Sequence, residues 1–281
     1  MVPAVEKSGL LTFLCRFGVS RRMVHRKIGA KLLAFFGGRL RVMGIGGAAL
    51  NPEVESFLRD ADFPFLVGYG LTEGSPLLAG GPHGHTTITP GSSGKPVPRV
   101  EIRIDDPHPQ TGIGEILARG PNIMQGYLND PEATRDTFTE DGWLRTGDLG
   151  LLDSEGNLHI KGRSKSMIVL SNGENVFPEA IEHKVNTYPF VMESMVIENR
   201  GLLEAWIYPD YEFIDGKTSG QNRTQRHQYI AELFEEMRVE VNRQLSTSSR
   251  LARVLERREP FTKTATHKIK RYLYSADNMH L

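Results

Sequence analysis

The sequence predicts two mixed folds in tandem: an α/β layer running into a small antiparallel, barrel-like sheet, then an α+β domain. Three observations carry this. Leu40 to Val67 reads strand, capped helix, strand, the rhythm of a parallel layer with polar loops at its strand ends. From Gly91 the texture changes to short alternating runs between turn clusters. After Arg163 a new unit opens, long enough to bury a core of its own, so the boundary is expected near residues 162 to 165.

Taken in order, the first forty residues read as helical. Leu10, Leu11, Phe13, Leu14, Phe17, Ile28, Leu32, Leu33, Phe35 and Phe36 are interleaved with Arg16, Arg21, Arg22, Arg26, Lys27 and Lys31. Such a stripe fits a membrane-surface helix or a helix pair with its basic side in water, and the second is favoured because apolar stripes are usually core faces. Gly37-Gly38 breaks the helix. Leu40 to Met43 is a strand running into Gly44-Ile45-Gly46-Gly47-Ala48-Ala49. Asn51 then caps a helix that has Pro52 at its first position and reaches about Asp60. Phe63 to Val67 is the next strand, ending in Gly68-Tyr69-Gly70-Leu71-Thr72-Glu73. Val100 to Ile104, Gly114 to Arg119, Gly147 to Leu152 and Leu158 to Gly162 make the antiparallel sheet, the last two around the turn Asp153 to Asn157. In the final unit Pro178 to Asn186 is a helix, and Val191 to Glu198 and Leu202 to Tyr208 are strands joined at Glu198 to Gly201. A polar loop from Asp215 to Arg223, a long helix to about Leu245 and a strand near Val254 to Arg258 complete it.

Composition narrows the function classes. The 39% hydrophobic and 24% charged fractions exclude wholesale disorder. Lys plus Arg and Asp plus Glu are both 34, and this balance argues against nucleic acid as a partner. Cys15, the single cysteine, excludes an intramolecular disulfide and fits a reducing compartment. No apolar run approaches the ~18 residues of a bilayer span. Leu10 to Leu14 is too short for a secretory core. The expectation is a soluble cytoplasmic protein, with peripheral contact at the inner membrane left open by the basic stretch.

Four segments hold residues suited to chemistry. In Tyr69-Gly70-Leu71-Thr72-Glu73, a hydroxyl and a carboxylate at a strand end could take a phosphate oxygen and a magnesium ion; alone, a loop with Thr72 as N-cap is the plainer reading. In Thr146-Gly147-Asp148, the carboxylate could hold ribose hydroxyls or merely close an Asx-turn. Gly162-Arg163-Ser164-Lys165-Ser166, with Ser171 to Glu179 beyond it, offers an anion-binding Arg163 or a linker leading to a capped helix. Lys263 to Arg271 taken alone is a solvated charge run.

Their order changes the weighing. Gly46-Gly47-Ala48, Gly68 to Glu73, Gly114-Glu115-Ile116, Gly142 to Asp148, Gly162-Arg163, Gly173-Glu174-Asn175 and Lys268-Ile269 together resemble the adenylate-forming superfamily: acyl-CoA synthetases, peptide-synthetase adenylation domains and firefly-type luciferases. The resemblance runs from about Gly37 onward. The run from Gly173 to Glu182 after Ser171-Asn172 looks most like bacterial medium- or long-chain fatty acyl-CoA ligases. It implies the end of a large AMP-binding domain (1–162) with its small sheet, then the mobile C-terminal domain (163–281). The family's Ser/Thr/Gly-rich loop for the ATP β- and γ-phosphates has no counterpart in this sequence. The resemblance therefore implies the C-terminal portion of a longer enzyme, inactive by itself.

The implied chemistry uses ATP, Mg2+ and CoA: a carboxylate forms acyl-AMP, and the CoA thiol displaces AMP. By resemblance, Gly46, Gly47 and Ala48 line the adenine and acyl pocket, and Tyr69 and Gly70 lie beside adenine. Thr72 binds the α-phosphate, Glu73 the magnesium, Asp148 the ribose and Arg163 ribose or phosphate. Lys268 neutralises charge growing in the adenylation transition state. Lys165 is the hinge, and Gly173 borders the pantetheine channel. His267 departs from the pattern, which commonly has Gly there. Loading of an acyl carrier protein, and a catalytically silent nucleotide-binding scaffold, are the competing readings.

Overall fold

The computed structural model describes residues 18–81, 89–171, 173–265 and 267–275. Leu10 to Phe17, with Cys15, lie outside these residues, as do Asn172 and Thr266. The chain divides into two compact units, one ending at Ile160 and the other starting at Lys161.

In the first unit, α1 (Gly18–Phe35) packs on α2 (Pro52–Asp60). Gly29 permits the contact, since a Cβ there would fall 2.0 Å from the Ala61 carbonyl oxygen. The His25 ring meets Phe57 edge-on, while Arg26, Lys27 and Lys31 face solvent. The packed-helix alternative is therefore the one realised for this part of the stretch. At the start of α2, the Asn51 side chain accepts from Glu53 and Val54 N–H, and Pro52 opens the helix, as the capping residues predict.

Strands β1 (Met43–Ile45), β2 (Phe65–Gly70), β3 (Leu77–Gly80) and β4 (Lys95–Pro96) form a sheet in that order. Only the β1–β2 pair is parallel, with Met43 opposite Phe65; β3 and β4 add antiparallel strands, making the layer mixed. Both strands lie later than predicted. Gly68-Tyr69-Gly70 belongs to β2 rather than to a loop, because β3 folds back and pairs with it.

A second sheet has the order β5 (Glu101–Asp105), β6 (Gly114–Arg119), β7 (Leu144–Leu152) and β8 (Leu158–Arg163). It is open, with β5 and β8 at its edges, and this corrects the barrel-like expectation. Helix α3 (Pro131–Thr137), capped by the Asp130 side chain on Ala133 N–H, lies between β6 and β7. Ile116, Ala118 and Leu158 pack with Tyr69, Leu78 and Val100 to form this unit's core.

The second unit opens with the hairpin of β9 (Ile168–Val169) and β10 (Asn175–Val176), followed by α4 (Pro178–Val185). Strands β11 (Val191–Asn199) and β12 (Leu202–Pro209) are joined by Arg200 and Gly201, whose φ values of 52° and 81° make the two-residue mirror-image turn that suits strand twist. Next come α5 (Tyr211–Lys217), α6 (Arg223–Arg243) and β13 (Leu251–Glu256), the last pairing parallel with β12. Ile230, Phe234, Met237 and Val241 repeat at helical spacing on α6 and pack with Ile181 and Val185 of α4 and Val196, Ala205 and Ile207 of the sheet. Helix α5 was not predicted; Asp210 caps it and its own Ile214 is fully buried.

Candidate functional site

Because β1 and β2 run parallel, Gly46-Gly47-Ala48 and the end of β2 emerge at the same edge of their sheet, the usual place for ligands in α/β layers. Gly46 lies against β2: a Cβ there would sit 3.0 Å from the Gly68 carbonyl oxygen. Gly47 has a φ of 83°, and Gly47 and Ala48 are exposed. At Gly70 the chain turns so tightly that a Cβ would come within 1.7 Å of the Pro76 oxygen. Leu71 N–H donates to that same oxygen at 2.9 Å and closes the loop. Inside the loop, Thr72–Gly74 forms one 3-10 turn that Leu71 precedes without any side-chain cap. Thr72 is thus an exposed first-turn residue and not the N-cap that the plainer reading assigned.

Two side-chain pairs organise this edge. The Tyr69 hydroxyl donates to Asp148 Oδ2 at 2.7 Å, and both side chains are buried. Asp148 lies within β7, inside the predicted strand Gly147 to Leu152, which starts earlier than expected, at Leu144. Gly147, at φ 69°, coincides with a register shift between β6 and β7 that re-aims the chain just before it. Thr146 Oγ1 donates to the Ile116 oxygen at 2.7 Å and accepts from Asp148 N–H at 3.1 Å, locking the approach.

The second pair joins Glu73 to Tyr127, whose hydroxyl donates to Glu73 Oε1 at 2.7 Å. The carboxylate acceptor and partial burial hold the Tyr127 phenol above its ordinary acidity range. Met124 N–H donates to the Glu73 carbonyl, and the Asn122 amide donates to the Gly74 and Leu77 carbonyls. Residues 122–127 therefore clasp the Thr72–Gly74 turn. Sequence reasoning missed Asn122 and Tyr127; the available signal was an aromatic after a glycine, Gly126-Tyr127, in a run without strand or helix periodicity.

In the second unit, Arg163 ends β8 and Lys165 sits exposed in the 3-10 turn Ser164–Ser166. Gly173, at φ 81°, closes the β9–β10 hairpin, with its N–H on the Leu170 oxygen and Leu170 N–H on the Glu174 oxygen. Lys268 lies on another hairpin. Lys263 bridges Ile269, Thr264 N–H donates to the Lys268 oxygen, and Lys270 N–H donates to the Thr262 oxygen. The solvated-run alternative fails for two of the segment's charges, which are paired. Lys263 pairs with Glu193 at 2.6 Å and Arg271 pairs with Glu182. Lys268 itself is exposed, and its ammonium has no partner among the described residues. His267, the departure from the family pattern, has a φ of 60°. Glycine occupies that left-handed region freely, so the glycine that the resemblance implies there would be unstrained.

Residues 18–128 match the family described as AMP-binding enzyme. A long-chain-fatty-acid–CoA ligase, FadD15 of Mycobacterium bovis, is 35% identical over 215 residues, covering 76% of this chain and 34% of that protein. A 2-succinylbenzoate–CoA ligase of Bacillus cereus is 38% identical over 162 residues, covering 56% of this chain and 33% of that protein. The chain thus spans about a third of the length of these curated relatives. Among solved structures, O-succinylbenzoate coenzyme A synthetase from Bacillus subtilis, in complex with ATP and magnesium ion, is 26% identical with a TM-score of 0.66, over 86% of this chain and 49% of that one. Matched in sequence over residues 18–128 and in fold over most of its length, the chain belongs to the adenylate-forming, AMP-binding enzyme family.

Proposed function

We propose that this chain is the C-terminal part of an ATP-dependent acid–thiol ligase that converts a fatty acid to acyl-AMP and then to its CoA thioester. The observation that carries the reading is the Tyr69–Asp148 hydrogen bond, which joins two motifs 79 residues apart, one on each of the first unit's two sheets. Thr72 and Glu73 lie on the turn that follows Tyr69. In the first step a carboxylate oxygen attacks the α-phosphorus and the bond to the β-phosphate oxygen breaks, releasing pyrophosphate. In the second, the CoA sulfur attacks the acyl carbon and AMP leaves.

Each residue has a task matched to its setting. Asp148, buried and already accepting one hydroxyl hydrogen bond, is suited to holding ribose hydroxyls. Thr72, exposed, presents a hydroxyl to the α-phosphate. Gly46 and Gly47 keep side chains away from the ligand. Arg163 contacts ribose or phosphate, Lys165 is the hinge and Gly173 leaves room for pantetheine. Glu73 uses Oε1 for Tyr127, and Oε2 accepts no hydrogen bond among the described residues, which fits a single-carboxylate cation site. Among the described residues no group of three His, Cys, Asp or Glu could hold a metal ion. A magnesium ion bound through Glu73 would share its remaining ligands with phosphate and water and offset phosphate charge. Lys268 supplies positive charge to the adenylation transition state.

The fatty-acid assignment draws on the run Gly173 to Glu182 and on the FadD15 relative; the matched 2-succinylbenzoate–CoA ligase and feruloyl-CoA synthase point to aromatic acids as the alternative. The test is acid-dependent exchange of labelled pyrophosphate into ATP by the intact enzyme, followed by addition of CoA. Exchange with fatty acids and thioester on CoA addition is expected. Exchange confined to aromatic acids overturns the fatty-acid part, and no exchange with any acid overturns the whole.

A further inference from the structure

Lys268 stands on a hairpin whose two legs are each tied to the second unit through a carboxylate. On the first leg, Glu193 of β11 accepts Phe261 N–H at 2.8 Å through Oε2 and takes the Lys263 ammonium at 2.6 Å through Oε1. On the second, the Arg271 guanidinium reaches Glu182 of α4. Glu182 is 7% exposed, and its other oxygen accepts Val196 N–H of β11 at 2.6 Å. That one carboxylate therefore joins α4, β11 and the end of the hairpin. The legs are also tied to each other, since Thr262 N–H donates to the Tyr274 hydroxyl at 2.7 Å.

A largely buried ion pair loses much of its attraction to desolvation, so it contributes little net stability, and in some proteins such a pair serves to select one geometry. The Lys268 ammonium has no partner of its own among the described residues, so its placement follows from the backbone of the hairpin that carries it. We infer that Glu182 and Arg271 are positioning residues for Lys268, holding the hairpin legs 262–264 and 268–270 in the one placement from which its ammonium can act. The inference rests on the reading of Lys268 given above.

Two measurements separate the inference from that reading. Amide hydrogen exchange on the chain reports the hairpin through Thr264 and Lys270 N–H. Single-turnover rates of the intact enzyme report adenylation, and thioester formation from supplied acyl-AMP, separately. Glu182→Gln and Arg271→Gln are expected to speed exchange at both amides and slow adenylation ~10-fold, the loss expected of a charge-assisted hydrogen bond. Thioester formation should stay near wild type, and Arg271→Lys should recover part of the adenylation rate. If Glu182→Gln does not fold, Arg271→Gln, altered at a partly exposed side chain, decides. Unchanged exchange and adenylation, beside a slow Lys268→Ala, overturn the positioning role and leave the reading of Lys268 intact. Equal losses in both half-reactions mark a merely structural role and also overturn it. Wild-type adenylation in Lys268→Ala removes the reading of Lys268, and the exchange data then decide whether the pair holds the hairpin.

Discussion

In the first unit the polar groups assigned to the nucleotide and its cation come already paired: Tyr69 with Asp148, Tyr127 with Glu73. In the second, the lysine assigned to the chemistry reaches into solvent, and the ionic contacts belong to its hairpin's neighbours. Binding groups gain from rigidity, because a carboxylate held by a donor meets its ligand without reorganising. A lysine left in water keeps its charge without desolvation cost, so its placement must come from the backbone that carries it. The two regions answer one requirement, a fixed charge at a fixed point, by opposite means.

The contrast is sharpest at Lys268. Lys268→Ala should slow acyl-AMP formation ~10²–10³-fold, about 3–4 kcal/mol, and leave thioester formation from supplied acyl-AMP nearly untouched. Lys270→Ala provides the control, and equal behaviour of the two would remove Lys268 from the mechanism. Next in size is Asp148→Asn, expected to raise the KM for ATP ~10-fold or more by weakening charge-assisted hydrogen bonds. Its effect should not add to that of Tyr69→Phe, and additivity of the two would show that the pair is not one unit.

A third measurement probes the cost of anchoring. Burial outweighs the attraction of Arg271 and pushes Glu182 up to about 6. The folded state then holds this proton more tightly than the unfolded chain does. The stability it contributes is full below the ordinary carboxylate range and falls, by up to about 2 kcal/mol, as pH rises to about 6. Denaturant unfolding across that window should show the decline in wild type and a flatter profile in Glu182→Gln; parallel profiles would place the titration elsewhere. The smallest effect is expected from Tyr127→Phe. It frees Glu73 at a cost of about 1 kcal/mol, raising the magnesium needed for half-maximal adenylation roughly fivefold. An unchanged requirement would detach Tyr127 from the cation.

Local chemistry was legible in the sequence where a few neighbouring residues decide it. Asn51-Pro52 marked the start of α2, and Arg200-Gly201 fell inside the predicted turn between β11 and β12. Strand limits were legible only where the partner is adjacent. Gly68 to Gly70 looked like loop because the partner that makes them strand, β3, pairs across a tight reversal hidden in Gly70 and Pro76. Asp148 fell inside the predicted strand Gly147 to Leu152, but the start of that strand at Leu144 was hidden because Gly147 bends a continuous strand without ending it. Helix α5 was hidden by its short polar segment, although Asp210 carried the capping signal. The pairs that make the site, Tyr69 with Asp148 and Glu73 with Tyr127, span 79 and 54 residues. No periodicity reports such contacts; only the order of motifs hinted at the first.

The parallel pairing of β13 with β12 has a consequence in time. Strands β11 and β12 meet across a two-residue turn, whereas β13 reaches β12 only after the chain has passed through α5 and α6. Closing that long segment carries an entropic cost before any contact rewards it, so the local hairpin is expected to form first and β13 to join late. The Lys268 hairpin follows β13 in the chain, and its anchors, Glu193 and Glu182, sit on the earlier elements. In pulse-labelled exchange during refolding, β11 and β12 amides should gain protection before Lys270 N–H does. The lysine is then among the last groups of its unit to reach its place, arriving when the scaffold that aims it is already complete.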